Sequence, residues 1–290
     1  MKTSAQRNRR LLRSGRKAEF EVKRARKIVQ LVSILTFFII IPVLNKNGIV
    51  FISGTLYSFA VGPVWITDPL IGLQTLLTTL SMDRVLLVSV LIPIVFALAL
   101  GRVFCGWICP QNSLSELADA AAARLGINRL FGPKPSALPR YAVLAAILIA
   151  VPLTGLPLAS LLSAPGILSA QAARFVYEGT VGLELGLIGL IVLGELALVR
   201  RGWCNFLCPV GGFLGLFRWK GTLRVAFAPD ADHVCGGCRS CADACRLGLD
   251  PMGAALYPLC HNCGDCVAAC GAVKLGKKPL MFRRVRGQAE

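Results

Sequence analysis

Two stretches near the C-terminus decide how this chain is read: Cys235-Gly-Gly-Cys238-Arg-Ser-Cys241-Ala-Asp-Ala-Cys245 and Cys260-His-Asn-Cys263-Gly-Asp-Cys266-Val-Ala-Ala-Cys270. Each spells C-x2-C-x2-C-x3-C. In this pattern three close cysteines wrap one face of a [4Fe–4S] cube, and in two-cluster proteins the fourth crosses to the other cube. Zinc ribbons rarely crowd four cysteines so tightly. Residues 221–290 are therefore expected to form a small two-cluster ferredoxin-like α+β domain that ends in a basic tail.

Upstream of that tail the chain is apolar. Of its 290 residues 55% are hydrophobic and only 16% are charged. Four segments, roughly 28–44, 85–104, 141–162 and 181–199, approach the ~20 residues that a membrane span needs. The expectation is an all-α membrane bundle of four transmembrane helices over residues 28–220, preceded by a basic segment, 1–27. Pro93, Pro152 and Pro157 are expected to kink their helices. Eleven Lys/Arg lie in 1–27, five around the 105–140 connection and thirteen from Arg200 onward, against three in the remaining connections. That asymmetry predicts a multi-pass protein of the bacterial inner membrane with both termini in the cytoplasm. The net charge of +17 is then a topology signal. No nucleic-acid recognition motif accompanies it, and the N-terminal run suits anionic lipid headgroups. On the reducing side of the membrane, all twelve cysteines point to ligation or redox chemistry, not disulfides.

The other four cysteines form an internal repeat. Gly101-Arg102-Val-Phe-Cys105-Gly-Trp-Ile-Cys109-Pro110 follows the second apolar segment, and Arg200-Arg201-Gly-Trp-Cys204-Asn-Phe-Leu-Cys208-Pro209 follows the fourth. Both are C-x3-C-P. The implied unit is a helical hairpin ending in this motif, used twice in one orientation. Residues four apart share a helix face, and the proline favours a helix end or turn. The two pairs could jointly hold a third cluster or another metal, form a reversible dithiol, hydrogen-bond to neighbouring clusters, or pack helix ends. Their equivalent placement favours a metal or redox role of unspecified kind.

Absent residues exclude other chemistries. The two histidines, His233 and His261, both lie in the tail, so bis-histidine haem cannot be held within the apolar segments. No C-x2-C-H occurs, so covalent haem has no attachment site. Gly211-Gly212 and Gly236-Gly237 are turn or packing glycines, not phosphate cradles. Between Asn45 and Arg84, the stripe Leu70, Leu73, Leu77, Leu80 predicts a helix that lies on the membrane surface or packs over the bundle end. Residues 126–139, with Pro133, Pro135 and Pro139, read as a linker.

Taken together, the basic N-terminus, the apolar segments, the two C-x3-C-P motifs and the double cysteine run resemble the NapH family of ferredoxin-type membrane proteins, and its close relatives of MauN type. The stretches Gly54-Thr-Leu-Tyr-Ser58, Thr67-Asp-Pro-Leu70 and Cys204-x3-Cys208-Pro209-Val210-Gly211 are similar to the corresponding family segments. The resemblance implies a quinol dehydrogenase component that draws on the quinol pool. It would pass electrons, with a periplasmic NapG-like ferredoxin and a cytochrome partner, towards a terminal reductase. MauN would imply electron transfer in methylamine utilisation. Maturation or reactivation of a partner metalloenzyme, or docking with inert clusters, are the alternatives. By analogy with two-cluster ferredoxins, Cys235, Cys238 and Cys241 would pair with Cys270, and Cys260, Cys263 and Cys266 with Cys245. One departure stands out: ferredoxin runs usually end C-P, but Arg246 follows Cys245 and Gly271 follows Cys270. In a quinol-oxidising protein, Glu184 and Glu195, eleven residues apart on one helix face, would receive or relay the protons. The plainer reading pairs Glu195 with Arg200 or Arg102 and leaves Glu184 among headgroups.

Overall fold

A computed structural model describes residues 22–81, 83–129, 136–219, 221–227, 238–253, 256–270 and 280–284. Cys235, His233, Gly271 and most of the N-terminal segment lie outside them. Helix α1 spans Val22–Lys46 and includes a π-helical stretch, Thr36–Ile40. Among the described residues it is the one helix long and apolar enough to cross a membrane.

The expectation of a four-helix membrane bundle is therefore corrected. Helix α3 (Arg84–Leu100) and helix α6 (Leu138–Thr154) are apolar but only 17 residues long. Helix α9 (Glu184–Ala197) has 14. The cause is in the backbone. Gly101, at φ 71°, ends α3 before the apolar run is over. Gly155 takes a left-handed cap after α6, and the next helix is the single turn α7 (Leu158–Leu161) with Pro157 at its N-cap. Such C-terminal glycines stop helices whatever the hydropathy beyond them. Pro93 and Pro152 do sit inside their helices.

A second difference lies between α1 and α3. Strands β1 (Ile52–Gly54), β2 (Ser58–Val61) and β3 (Val64–Thr67) form an antiparallel meander in that order. Val61 pairs with Val64 across Gly62-Pro63, and Gly62 has the positive φ that such a two-residue turn needs. Gly54 is required too, because a Cβ there would collide with the Ser58 carbonyl oxygen. Asp68 then caps helix α2 (Pro69–Thr79), its Oδ1 accepting the Leu70 N–H at 2.9 Å. Leu70 is fully buried, with Leu73 and Leu77 packed on the same core, whereas Leu80 is exposed. This helix is held between α3 and α6 and does not lie free on a surface.

The motifs fall at the junctions of the remaining helices. Helix α4 (Val103–Trp107) leads into α5 (Pro110–Leu125). After α8 (Ala164–Glu178) and α9, the π-helical turn α10 (Trp203–Leu207) leads into α11 (Pro209–Leu216). One apolar core joins α2, α3, α6 and α11 around Leu144, Ile147, Val151 and Phe213. A second joins α8, α9 and α10 around Ile167, Ile188 and Trp203. Cys208 packs against both. In the tail, β4 (Leu223–Phe227) pairs antiparallel with β5 (Leu280–Arg284), and the short helices α12 (Ser240–Asp243) and α13 (Asp265–Ala269) carry cysteines.

Candidate metal centre

Each C-x3-C-P motif folds as a short helix, a cap and a new helix. Cys105 and Cys204 lie within α4 and α10. Cys109 and Cys208 are the N-caps of α5 and α11, with extended ψ values of 120° and 109°. Pro110 and Pro209 occupy the first helical turn, where a missing N–H costs nothing. The proline thus starts a helix, and the two thiols of a pair come from one short helix and the cap of the next, not from one helix face. The Cys208 sulfur accepts the Gly211 N–H at 3.4 Å.

The two motifs converge. Cys105, Cys109, Cys204 and Cys208 line one cavity, together with Arg102, Arg140 and His261. Burial, with the other three thiols close by, pushes the Cys109 thiol well above its ordinary value. Burial, then Cys105, pushes Cys208 up to about 11. Around the thiols stands a cationic wall. Arg102 Nη2 lies 3.9 Å from the Cys105 sulfur. Arg140 is 1% exposed and donates to the Cys204 carbonyl, but its Nε and Nη1 have no partner. Burial and then Arg102 bring its guanidinium down to about 10. His261 is buried with Nδ1 unpartnered, and burial, followed by Arg201, Arg102 and Arg26, pushes the imidazole pKa well below its ordinary value. Buried donors without acceptors are costly. Four thiols, a positive wall and orphaned donors fit a thiolate-bound, anionic iron–sulfur cube. Among the described residues no three Cys, His, Asp or Glu side chains are gathered to hold a single ion, so the thiols spread around a cavity instead.

A second cavity lies in the tail and is lined by Cys245, Cys260, Cys263 and Cys266. His261 lines both cavities. Cys241 and Cys270 share a core cluster with Cys266, and burial, then Cys270, raises the Cys241 thiol; Cys238 is exposed. The tail is welded to the repeats by backbone contacts. Arg102 Nη1 donates to the Pro258 and Leu259 carbonyls at 2.8 and 3.1 Å. Trp107 Nε1 donates to the Asn262 carbonyl at 3.0 Å, and Asn262 Nδ2 to Leu100 at 2.9 Å. A Cβ on Gly106 would lie 2.8 Å from the His261 carbonyl oxygen, so that close approach requires glycine. From the second motif, Asn205 Nδ2 reaches the Leu247 carbonyl at 3.4 Å.

Arg246, which stands where ferredoxin runs usually have proline, now has a role. It pairs with Glu116 at 3.2 Å and Asp265 at 3.0 Å. Arg26 of α1 binds the same two carboxylates, and Lys27 also reaches Glu116. Burial alone would raise the Glu116 carboxyl, but Arg26, Arg246 and Lys27 outweigh it and hold it at about 2.

The two glutamates singled out for protons separate. Glu184 Oε2 accepts the Gln171 amide at 3.0 Å. Glu195 is 3% exposed and neither carboxylate oxygen has a hydrogen-bond partner; it acts on Cys204. Arg200 turns instead to Asp119, at 3.4 Å. The cationic wall itself escaped the sequence reading, although a signal existed: Arg102 and Arg201 both stand three residues before the first cysteine, so the repeat is R-x2-C-x3-C-P.

Comparison with known proteins falls on these same residues. The family described as "4Fe-4S binding domain" matches residues 84–128 and 181–226, the two repeats. Ferredoxin-type protein NapH of Escherichia coli is 32% identical over 184 residues, covering 62% of this chain and 60% of the relative. Methylamine utilization ferredoxin-type protein MauN of Methylorubrum extorquens is 34% identical over 185 residues, covering 63% and 61%. MauN of Methylobacillus flagellatus is 30% identical over 222 residues, covering 76% and 74%. The chain thus spans about six-tenths of the length of the first two relatives. No solved structure matches it.

Proposed function

Because the chain belongs to the NapH and MauN family of ferredoxin-type iron–sulfur proteins, we propose that it is a membrane-attached electron-transfer protein that accepts electrons from quinol and delivers them to a redox partner. A periplasmic ferredoxin of NapG type and a terminal reductase are the partners that the NapH relationship suggests; the MauN relationship suggests methylamine metabolism. The observation that carries the reading is the pair of adjoining cysteine-lined cavities with His261 in the wall of both.

In this reading Cys105, Cys109, Cys204 and Cys208 hold one cube, Cys260, Cys263, Cys266 and Cys245 a second, and Cys235, Cys238, Cys241 and Cys270 a third. When bound, each cube supplies one-electron redox chemistry. Arg102 and Arg140 balance the charge of the four repeat thiolates. The ionic cluster of Arg26, Arg246, Glu116 and Asp265 fixes the tail against α5, so the spacing between the sites stays constant. Glu195 is the candidate proton acceptor beside the repeat site, and Glu184 the more distant one. Membrane attachment is supported by α1 and by the large apolar side chains left exposed on α3, among them Val85, Val88, Leu91, Val95 and Phe96.

The test is reduction of the anaerobically purified protein in lipid by menaquinol, followed by EPR. Rapid appearance of reduced-cluster signals supports the reading. Clusters that stay oxidised with quinol, yet are reduced by a soluble donor, would overturn the quinol part of it.

A further inference from the structure

Beside the repeat site is an apolar cavity of about 330 Å³ that no cysteine lines. We infer that this cavity is the binding site of a lipophilic quinol, with the Asp68 carboxylate accepting the hydrogen bond from a ring hydroxyl; the inference rests on the quinol reading above. Its volume falls in the range of small-molecule sites. Asp68 and Thr67 supply the polar side chains of its lining. The Thr67 hydroxyl is engaged with Ser58 at 2.9 Å. Asp68 Oδ1 caps α2, and the half-buried carboxylate forms part of the cavity wall.

The walls suit a flat ring with an apolar tail. Phe37 and Phe59 line the cavity and meet edge to face, with centroids 5.2 Å apart, the kind of aromatic pair that packs well on another ring. Phe37 belongs to α1, the helix able to cross a membrane, so that helix forms part of the cavity wall. Phe96 lines the cavity and is 62% exposed, which gives it an apolar mouth. An acyl chain would fit the walls but offers no hydroxyl to the carboxylate. The lining also includes Phe104 and Ile108, next to Cys105 and Cys109, and Val210, two residues after Cys208. Burial lifts the Asp68 carboxyl to about 6, against the backbone N–H groups of Leu70 and Ile71 that pull it down. Glu184 and Glu195 do not line the cavity.

The experiment uses the full cluster-loaded chain in lipid nanodiscs. A short-tailed naphthoquinol is measured for equilibrium binding to the wild type, to Asp68→Asn and to Asp68→Ala. An azido-substituted analogue is photolysed on the wild type alone, and the labelled peptides are identified by mass spectrometry. Asn keeps an oxygen for the α2 cap, so that variant is expected to fold, with unchanged helicity and iron content. The expected results are label in residues 59–69 or 92–108, and a Kd weakened roughly tenfold to a hundredfold in Asp68→Ala. Tight binding with label elsewhere and no effect of either variant would overturn the site and leave the quinol reading standing. No saturable binding to the wild type, with phospholipid alone retained by the cavity, would overturn both.

Discussion

The two cysteine cavities differ in how they are made. The tail cavity draws its thiols from Cys245 to Cys266, a short run of chain folded on itself. The repeat cavity draws two thiols from each of two motifs about a hundred residues apart. It is walled by Arg102 and Arg140 and abuts two apolar cores. A local site depends on spacing, whereas a convergent site depends on the whole fold. That contrast predicts that each site can lose its cluster without emptying the other: loss of tail thiols leaves the repeat site loaded, and loss of repeat thiols leaves the tail loaded.

The largest expected effect separates the two directly. Cys260→Ser with Cys263→Ser should remove about four irons per chain and leave the repeat site loaded, read by metal analysis and Mössbauer spectroscopy. Loss of all iron would mean that the two sites assemble as one. Next comes the ionic hinge between them. Glu116→Gln leaves Arg26, Arg246 and Arg201 without their shared carboxylate, a change that should cost about 3–5 kcal/mol in denaturant unfolding and make the tail sensitive to protease first. The same carboxylate sets an acid limit. Its folded value of about 2 lies below the ordinary 4.5, so its stabilisation is complete above pH 4.5 and is lost as pH falls through 2. The contribution is roughly 3 kcal/mol, and an acid titration of Glu116→Gln should lack that component. The smallest effect is expected from Trp107→Phe. It deletes the indole donor to Asn262 and should cost about 1 kcal/mol with no change in iron content.

Spacing alone marks every cysteine that lines either cavity, and it marks the repeat as a repeat. It does not show that the motifs face each other, because nothing local to Cys105 points to Cys204. Hydropathy misjudged the spans for a definite reason: it averages across Gly101 and Gly155, where positive φ values stop the helix, and so it counted residues beyond the breaks. The meander was hidden by the same averaging, although Gly62-Pro63 between β-branched residues is a hairpin signal. Arg246 was visible as an anomaly after Cys245; its partners, Glu116 and Asp265, lie on α5 and α13 and only the fold brings them together. The family match on 84–128 and 181–226 shows that the less obvious cysteines carry the iron–sulfur description.

The central claim is that the repeat thiols hold a cluster of their own. Iron and acid-labile sulfide, counted per chain in anaerobically purified wild type and in Cys109→Ser with Cys208→Ser, test it most directly. Three cubes predict about twelve irons in the wild type and about eight in the variant; about eight in both would contradict it.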